Sequence, residues 1–173
     1  MASPLLTDLY GLNMAASYMR RDMTGEATFS LFVRDLPPNR GFLVAAGIDD
    51  CLDHLEHLHF TGDDLDYLAT IGFDAAAREA FASLHFTGEV RAVPEGRLVF
   101  ANEPLVEVTA PIAEAQLVES FLLNQVTMQT TLATKAARCV MAVGGQVDLV
   151  EFGFRRAQGI DAGMAVARLA VMV

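Results

Sequence analysis

The sequence predicts an α+β domain followed by the first strand–loop–helix of a parallel α/β unit, an α/β barrel or another parallel sheet. Two observations carry this expectation. Three short strand-like segments, Val90–Val93, Arg97–Phe100 and Leu105–Val108, are punctuated by the turns Pro94-Glu95-Gly96 and Asn102-Glu103-Pro104, amid segments of helical period. Near the C-terminus the run Val147, Leu149, Val150 leads into Phe152, then a loop and a small-residue helix from about Ala162. The reading divides the chain into an N-terminal α+β domain, 1–137, with a small β subdomain and a long buried helix, and an incomplete barrel start, 138–173.

Each element has a local reason. Leu5–Met19 reads as a helix with Thr7 or Asp8 near its start. Thr28–Val33 alternates, placing Phe29, Leu31 and Val33 on one strand face. Pro37-Pro38-Asn39-Arg40-Gly41 is a loop. Ile48, Cys51, Leu52, Leu55 and Leu58 follow the spacing of an amphipathic helix. Thr61-Gly62-Asp63-Asp64 has the form of a capping start for a short helix through Leu68. Asp74 caps a further helix with Ala77, Ala80, Phe81 and Leu84 inward. Pro111 fits the first turn of a long helix, which contains the uncharged run 120–134 and ends at Gly144-Gly145. The pentapeptide Leu-His-Phe-Thr-Gly occurs at 58–62 and again at 84–88; two copies are too few for a repeat architecture and read as coincidence reinforced by similar helix-exit chemistry.

Composition narrows the function classes. With 173 residues, 53% of them hydrophobic, the chain can bury a core. The longest uncharged run is interrupted by Asn124, Gln125, Thr127, Gln129, Thr130 and Thr131, so no membrane span is expected. The N-terminus lacks the basic start and apolar centre of a secretory signal, and Cys51 and Cys139 are too few for a disulfide framework; a reducing, cytoplasmic setting is expected. Net charge is −10, and fifteen of the acidic residues fall in 49–119, which argues against nucleic-acid binding. From Lys135 onward five bases face three acids, so the C-terminal part suits a small anionic ligand. Of those bases, Arg138 and Arg168 are expected to coat helix surfaces.

Candidate chemistry is sparse. His54, His57 and His59 lie close to Asp53 and Glu56, but a metal site needs ligands converging on one point, and a solvated helix end accounts for them. His85 stands alone, no Ser-His-Asp arrangement or phosphate-binding glycine loop is present, and no metal site is expected. Asp8 and Tyr10 lie near a helix start, where a capping Asp and a half-buried Tyr are the simpler account. Glu151-Phe152-Gly153-Phe154-Arg155-Arg156-Ala157-Gln158-Gly159 is the most informative stretch. Arg is always charged and grips a carboxylate or phosphate with two parallel N–H groups. Phe152 could stack on a flat ring with Arg155 and Arg156 holding an anion beside it; a core Phe with two structural arginines remains equally open from the residues themselves.

Several segments, in order, resemble the nicotinate phosphoribosyltransferase family. They are Leu5-Leu6-Thr7-Asp8-Leu9-Tyr10; Phe29-Ser30-Leu31-Phe32-Val33-Arg34 with Pro37 to Gly47; Phe86-Thr87-Gly88-Glu89-Val90 with Pro94-Glu95-Gly96 and Asn102-Glu103-Pro104-Leu105; Ala133-Thr134-Lys135-Ala136-Ala137-Arg138; and Phe152 to Gly159. The resemblance implies a type II phosphoribosyltransferase-like fold, truncated in its barrel. It implies transfer of phosphoribose from phosphoribosyl pyrophosphate to nicotinate, giving nicotinate mononucleotide for NAD salvage, with ATP and Mg2+ expected for the full-length enzyme. It implies Phe152 as one face of an aromatic sandwich around the pyridine ring, Tyr10 of the second subunit of a homodimer as the other, and Arg155, with Arg156 beside it, at the substrate end. The family's catalytic histidine lies in a Gly-Thr-x-Ala-His context that does not occur here, and all four histidines precede residue 86. The expectation is therefore an N-terminal portion that is inactive alone. A non-catalytic interaction module and a nicotinamide-using relative are the alternatives.

Overall fold

The structure, a computed structural model, describes residues 3–145 and 147–172. Among the described residues six α-helices and five strands alternate irregularly: α1 (Leu9–Arg20), β1 (Glu26–Phe32), β2 (Leu43–Val44), α2 (Ile48–Glu56), α3 (Gly62–Thr70), α4 (Ala75–Ser83), β3 (Glu89–Ala92), β4 (Leu98–Val99), β5 (Pro104–Pro111), α5 (Ile112–Val143) and α6 (Ile160–Met172). The α+β expectation holds. The strands form a three-stranded sheet in the order β1-β5-β3 and a two-stranded antiparallel pair of β2 with β4. The described residues pack as two compact units that interleave along the chain. Residues far apart in sequence share each unit, which a linear reading of composition does not register.

The first unit comprises Met1–Leu31, Asp50–Arg91 and Val106–Asn124. Leu12, Ala15 and Ala16 are the buried stripe of α1. The helix starts at Leu9 rather than Leu5, because the residues before it are engaged elsewhere. The Thr7 hydroxyl donates to the carbonyl of Leu117 (3.0 Å), and the Asp8 carboxylate accepts from the Ser120 hydroxyl (2.8 Å) instead of capping its own helix. The start of α1 is thus stapled to α5. Helix α3 opens on a complete capping box: Asp64 N–H donates to the Thr61 hydroxyl (3.3 Å), and Thr61 N–H donates back to the Asp64 carboxylate (2.8 Å). Asp74 caps α4 by accepting from Ala77 N–H (2.9 Å). Phe81, fully buried on α4, meets Phe60 at 4.9 Å and Phe73 edge-on at 5.8 Å between ring centroids. In the sheet, Thr28 and Thr109 share a hydrogen bond (2.8 Å), and Ser30 donates to Glu107 (2.9 Å), tying β1 to β5 side chain to side chain.

The second unit comprises Phe32–Asp49, Ala92–Leu105 and Gln125–Val173. Strand β2, which has no alternating signature, pairs Leu43 with Val99 and Val44 with Leu98. Val44, Ala46, Ala133 and Leu169 form its small core, flanked by Phe42, Leu132 and Ala137. Val44 N–H donates to the Thr134 hydroxyl and Ala46 N–H to the Thr130 hydroxyl, so side chains of α5 satisfy these two backbone donors. Gly47 has φ +87, and a Cβ there would lie 2.7 Å from the Gln125 carbonyl oxygen; only glycine fits. The long helix ends at Gly144 and Gly145, both at positive φ.

One expected element does not form. Residues 147–153 are irregular and 147–152 are exposed, so the strand from Val147 into Phe152 is corrected to an unpaired segment. A strand is a set of hydrogen bonds to a neighbour, and no strand of the described residues runs beside it. The helix that follows is present as α6, two residues earlier than expected. The long helix is also less buried than expected: Leu123, Asn124, Thr127 and Thr131 are exposed within the uncharged run.

Candidate functional site

Tyr10 belongs to the first unit. The staple at Thr7 and Asp8 sets the first turn of α1, and from it the Tyr10 hydroxyl donates to Glu119 Oε2 (3.1 Å), which also accepts from Gln116 (2.7 Å). Partial burial and the adjacent Glu119 carboxylate both hold the phenol above its ordinary pKa, so it stays neutral and donating. Tyr10 is 48% exposed, available to a further partner. Glu119 also lines a shallow apolar groove of about 110 Å³ with Phe29, Leu31, Val106, Val108 and Val118.

Phe152, Arg155 and Arg156 belong to the second unit. Phe152 is 81% exposed. A 3-10 turn, Phe154–Arg156, carries both arginines, closed by Arg156 N–H donating to the Gly153 carbonyl (2.7 Å) and Ala157 N–H to that of Phe154 (3.1 Å). Glu151 accepts from Gly153 N–H and sets the entry to the turn. Arg155 and Arg156 are both exposed, and neither pairs with another described side chain. A planar aromatic face followed within four residues by two unpaired forked cations can take a flat anion by stacking and bidentate hydrogen bonding.

Three other expectations meet the structure differently. Arg168 does not merely coat a helix surface: it donates to Glu95 (2.9 Å) and to Gln129. Glu95, placed in sequence only as a turn residue, accepts from the N–H groups of Gly47 (2.7 Å), Ile48 (2.8 Å) and Asp49 (3.3 Å) at the start of α2. Burial opposes its ionisation, but Arg168 and these backbone donors outweigh it and hold the carboxyl below its ordinary range. The signal missed was that an acid in a tight turn can cap a helix remote in sequence. Arg138 fits its surface expectation only in part; with Asn39, Arg40, Phe42 and Met141 it lines an open cleft of about 320 Å³. The solvated-helix-end reading holds for His57 and His59 and fails for His54, which is buried and stacks on Phe121 at 3.8 Å between ring centroids. Desolvation pushes the His54 imidazole below its ordinary pKa. No three His, Cys, Asp or Glu side chains converge on one point among the described residues, and no helix among them is long and apolar enough to cross a membrane.

Comparison with known proteins gives this geometry its context. Residues 5–127 match the family model for the nicotinate phosphoribosyltransferase N-terminal domain. The chain is 48% identical over 165 residues to a nicotinate phosphoribosyltransferase of Mycobacterium tuberculosis, 46% over 170 residues to that of Bacillus subtilis and 39% over 171 residues to that of Homo sapiens. These matches cover 95%, 97% and 96% of this chain and 35%, 34% and 32% of the relatives. The crystal structure of human nicotinic acid phosphoribosyltransferase superposes with a TM-score of 0.86 at 36% identity, over 95% of this chain and 34% of that one. A nicotinate-nucleotide pyrophosphorylase from Pyrococcus furiosus, at TM-score 0.73 and 20% identity over 95% of this chain and 34% of that one, shares the fold. Fold and sequence together define the N-terminal domain of a phosphoribosyltransferase, and the chain belongs to the nicotinate phosphoribosyltransferase family. It spans about a third of the length of the curated relatives it matches.

Proposed function

We propose that the protein to which these residues belong transfers phosphoribose from phosphoribosyl pyrophosphate to nicotinate, releasing pyrophosphate and forming nicotinate mononucleotide in the cytoplasm. The observation that carries this reading is family membership, together with an exposed Phe152 and two unpaired arginines on one short segment. In this reading the Phe152 ring stacks on the pyridine face. Arg155 takes the carboxylate through its planar fork, and Arg156 adds positive potential beside it. Tyr10 of a second copy covers the opposite face in a homodimer. As the C1–O bond to the departing pyrophosphate breaks and the C1–N bond to the pyridine ring forms, positive charge develops on the sugar, so holding the nucleophilic ring nitrogen in line is the main contribution these residues can make. ATP and Mg2+ are part of the proposed whole reaction, but the described residues bring no carboxylate cluster together to hold the metal. These residues alone, without a histidine in the family context, are expected to bind and not to turn over.

Titration of nicotinate into the protein tests this. Phe152→Ala and Tyr10→Ala should each weaken binding, with aromatic pairing contributing about 0.5–1.5 kcal/mol beyond area burial. Arg155→Lys should also weaken it, because the ammonium cannot reproduce the bidentate grip. Nicotinamide, which lacks the carboxylate, should bind more weakly than nicotinate to the wild type and be little affected by Arg155→Lys. Unchanged nicotinate affinity in all three variants would discard the assignment.

A further inference from the structure

The segment that carries Arg155 has no strand to hold it, yet it leads directly into a helix that is held firmly. Three residues, Ala157 to Gly159, separate the 3-10 turn from α6, and Gly163 N–H closes back on the Gly159 carbonyl (3.1 Å). Gly163 is buried, and a Cβ there would lie 2.6 Å from the Phe154 ring, so the turn lies directly against the helix through the missing side chain. Further along α6, two adjacent residues dock it. Leu169 is 1% exposed in the apolar core with Val44, Ala46 and Ala133. Arg168 spreads its guanidinium over two different segments, donating to Glu95 in the 94–96 turn and to Gln129 on α5.

The two docking contacts have different physical consequences. An apolar contact is non-directional and tolerates sliding and rotation of a helix. A forked cation hydrogen-bonded to two separate acceptors fixes the angle and height of the helix that carries it. Its acceptors are themselves fixed. Glu95 receives three backbone N–H groups at the start of α2. Gln129 is 1% exposed and donates to Gln125 (3.1 Å). Charge-paired polar contacts of this kind can set registry while adding little net stability.

We propose that Arg168, acting through Glu95 and Gln129, is a positioning residue for the Arg155 turn. The pair sets where the guanidinium groups of the 3-10 turn stand, and so the affinity for the carboxylate-bearing ring, without touching that ligand. The inference rests on the proposed nicotinate reading for its ligand and on the geometry alone for its mechanics.

Two measurements on the full chain separate these. Amide hydrogen exchange should accelerate at least about tenfold over 154–163 in Arg168→Met, while amides of α4 around Phe81 in the first unit stay protected as in the wild type. Glu95→Gln keeps an oxygen for the α2 N–H groups and removes only the charge facing Arg168. It should show the same local acceleration, and serves where Arg168→Met is poorly folded. Arg168→Lys, which keeps the charge and one partner, should fall between. Nicotinate affinity should drop with the exchange protection, about tenfold in Arg168→Met. Wild-type exchange over 154–163 in both Arg168→Met and Glu95→Gln would overturn the positioning role. Accelerated exchange there, with nicotinate affinity unchanged in Arg168→Met and in Arg155→Lys alike, would leave the mechanics standing and overturn the nicotinate reading. Accelerated exchange with nicotinate lost only in Arg155→Lys would overturn the positional coupling between them.

Discussion

A buried histidine shows how much a single residue's setting changes its chemistry. His54 stacks on Phe121 at 3.8 Å and is removed from water, which lowers its pKa from the ordinary 6.5. The unfolded chain therefore takes up a proton before the folded one does as pH falls. The resulting stability is complete above about pH 6.5 and is lost as pH falls through the folded pKa. His54→Phe keeps a ring against Phe121 and cannot titrate. Denaturant midpoints measured from pH 8 to pH 5 should fall for the wild type and fall less steeply for the variant; parallel curves would show that His54 titrates as in solution. The arginine pair was legible in the sequence because guanidinium charge and donor geometry do not depend on the fold. His54, Glu95 and Arg168 were not, because burial and a partner 73 residues away decide what each does.

At the scale of elements, helix starts were the most readable feature. Thr61 and Asp74 cap α3 and α4 as their positions implied, since the capping bond spans only three residues and needs nothing from elsewhere. Thr61→Ala should cost about 0.5–2 kcal/mol in a urea titration, and Thr61→Ser should recover most of it. A loss smaller than that in the alanine variant would mean that Asp64 maintains the turn unaided. The two Leu-His-Phe-Thr-Gly copies also agree with their reading as helix exits. Each buries its Leu, each His Nδ1 contacts a carbonyl two residues back (2.8 and 3.0 Å), and each Thr hydroxyl donates to a carboxylate, Asp64 or Glu114. Strands were less readable. Strand β2 is two residues long with both side chains buried, so it has no alternation to detect. The run 147–152 has the composition of a strand but no described neighbour, because strand formation is a property of pairs.

On the scale of the molecule, the consequence of that unpaired run is apolar exposure. Val147, Leu149, Val150, Phe152, Phe154 and Ile160 are each more than half exposed within one short stretch. Exposed apolar patches promote association. Light scattering of these 173 residues should show concentration-dependent self-association, and the paired change Leu149→Lys with Val150→Lys should reduce it while leaving the circular dichroism spectrum intact. A wild type that stays monomeric at high concentration would contradict this. The net charge of −10 opposes association only over the Debye length, about 8 Å at physiological ionic strength, and the C-terminal part carries the opposite local sign.

Sequence by itself determined the α+β class, the caps of α3 and α4, the long helix with its Gly-Gly end, the cationic segment and the family. All of these follow from short-range patterns or from residue chemistry that travels with the chain. Only the tertiary structure decided that the chain divides into two interleaved units, that α1 begins at Leu9, that His54 is buried and that Glu95 joins α2 to α6. Each of these depends on groups separated by tens of residues. Burial and hydrogen bonding are fixed by what the folded chain brings alongside, and no local pattern at Thr7, His54, Glu95 or Arg168 names Leu117, Phe121, Ile48 or Gln129 as its partner.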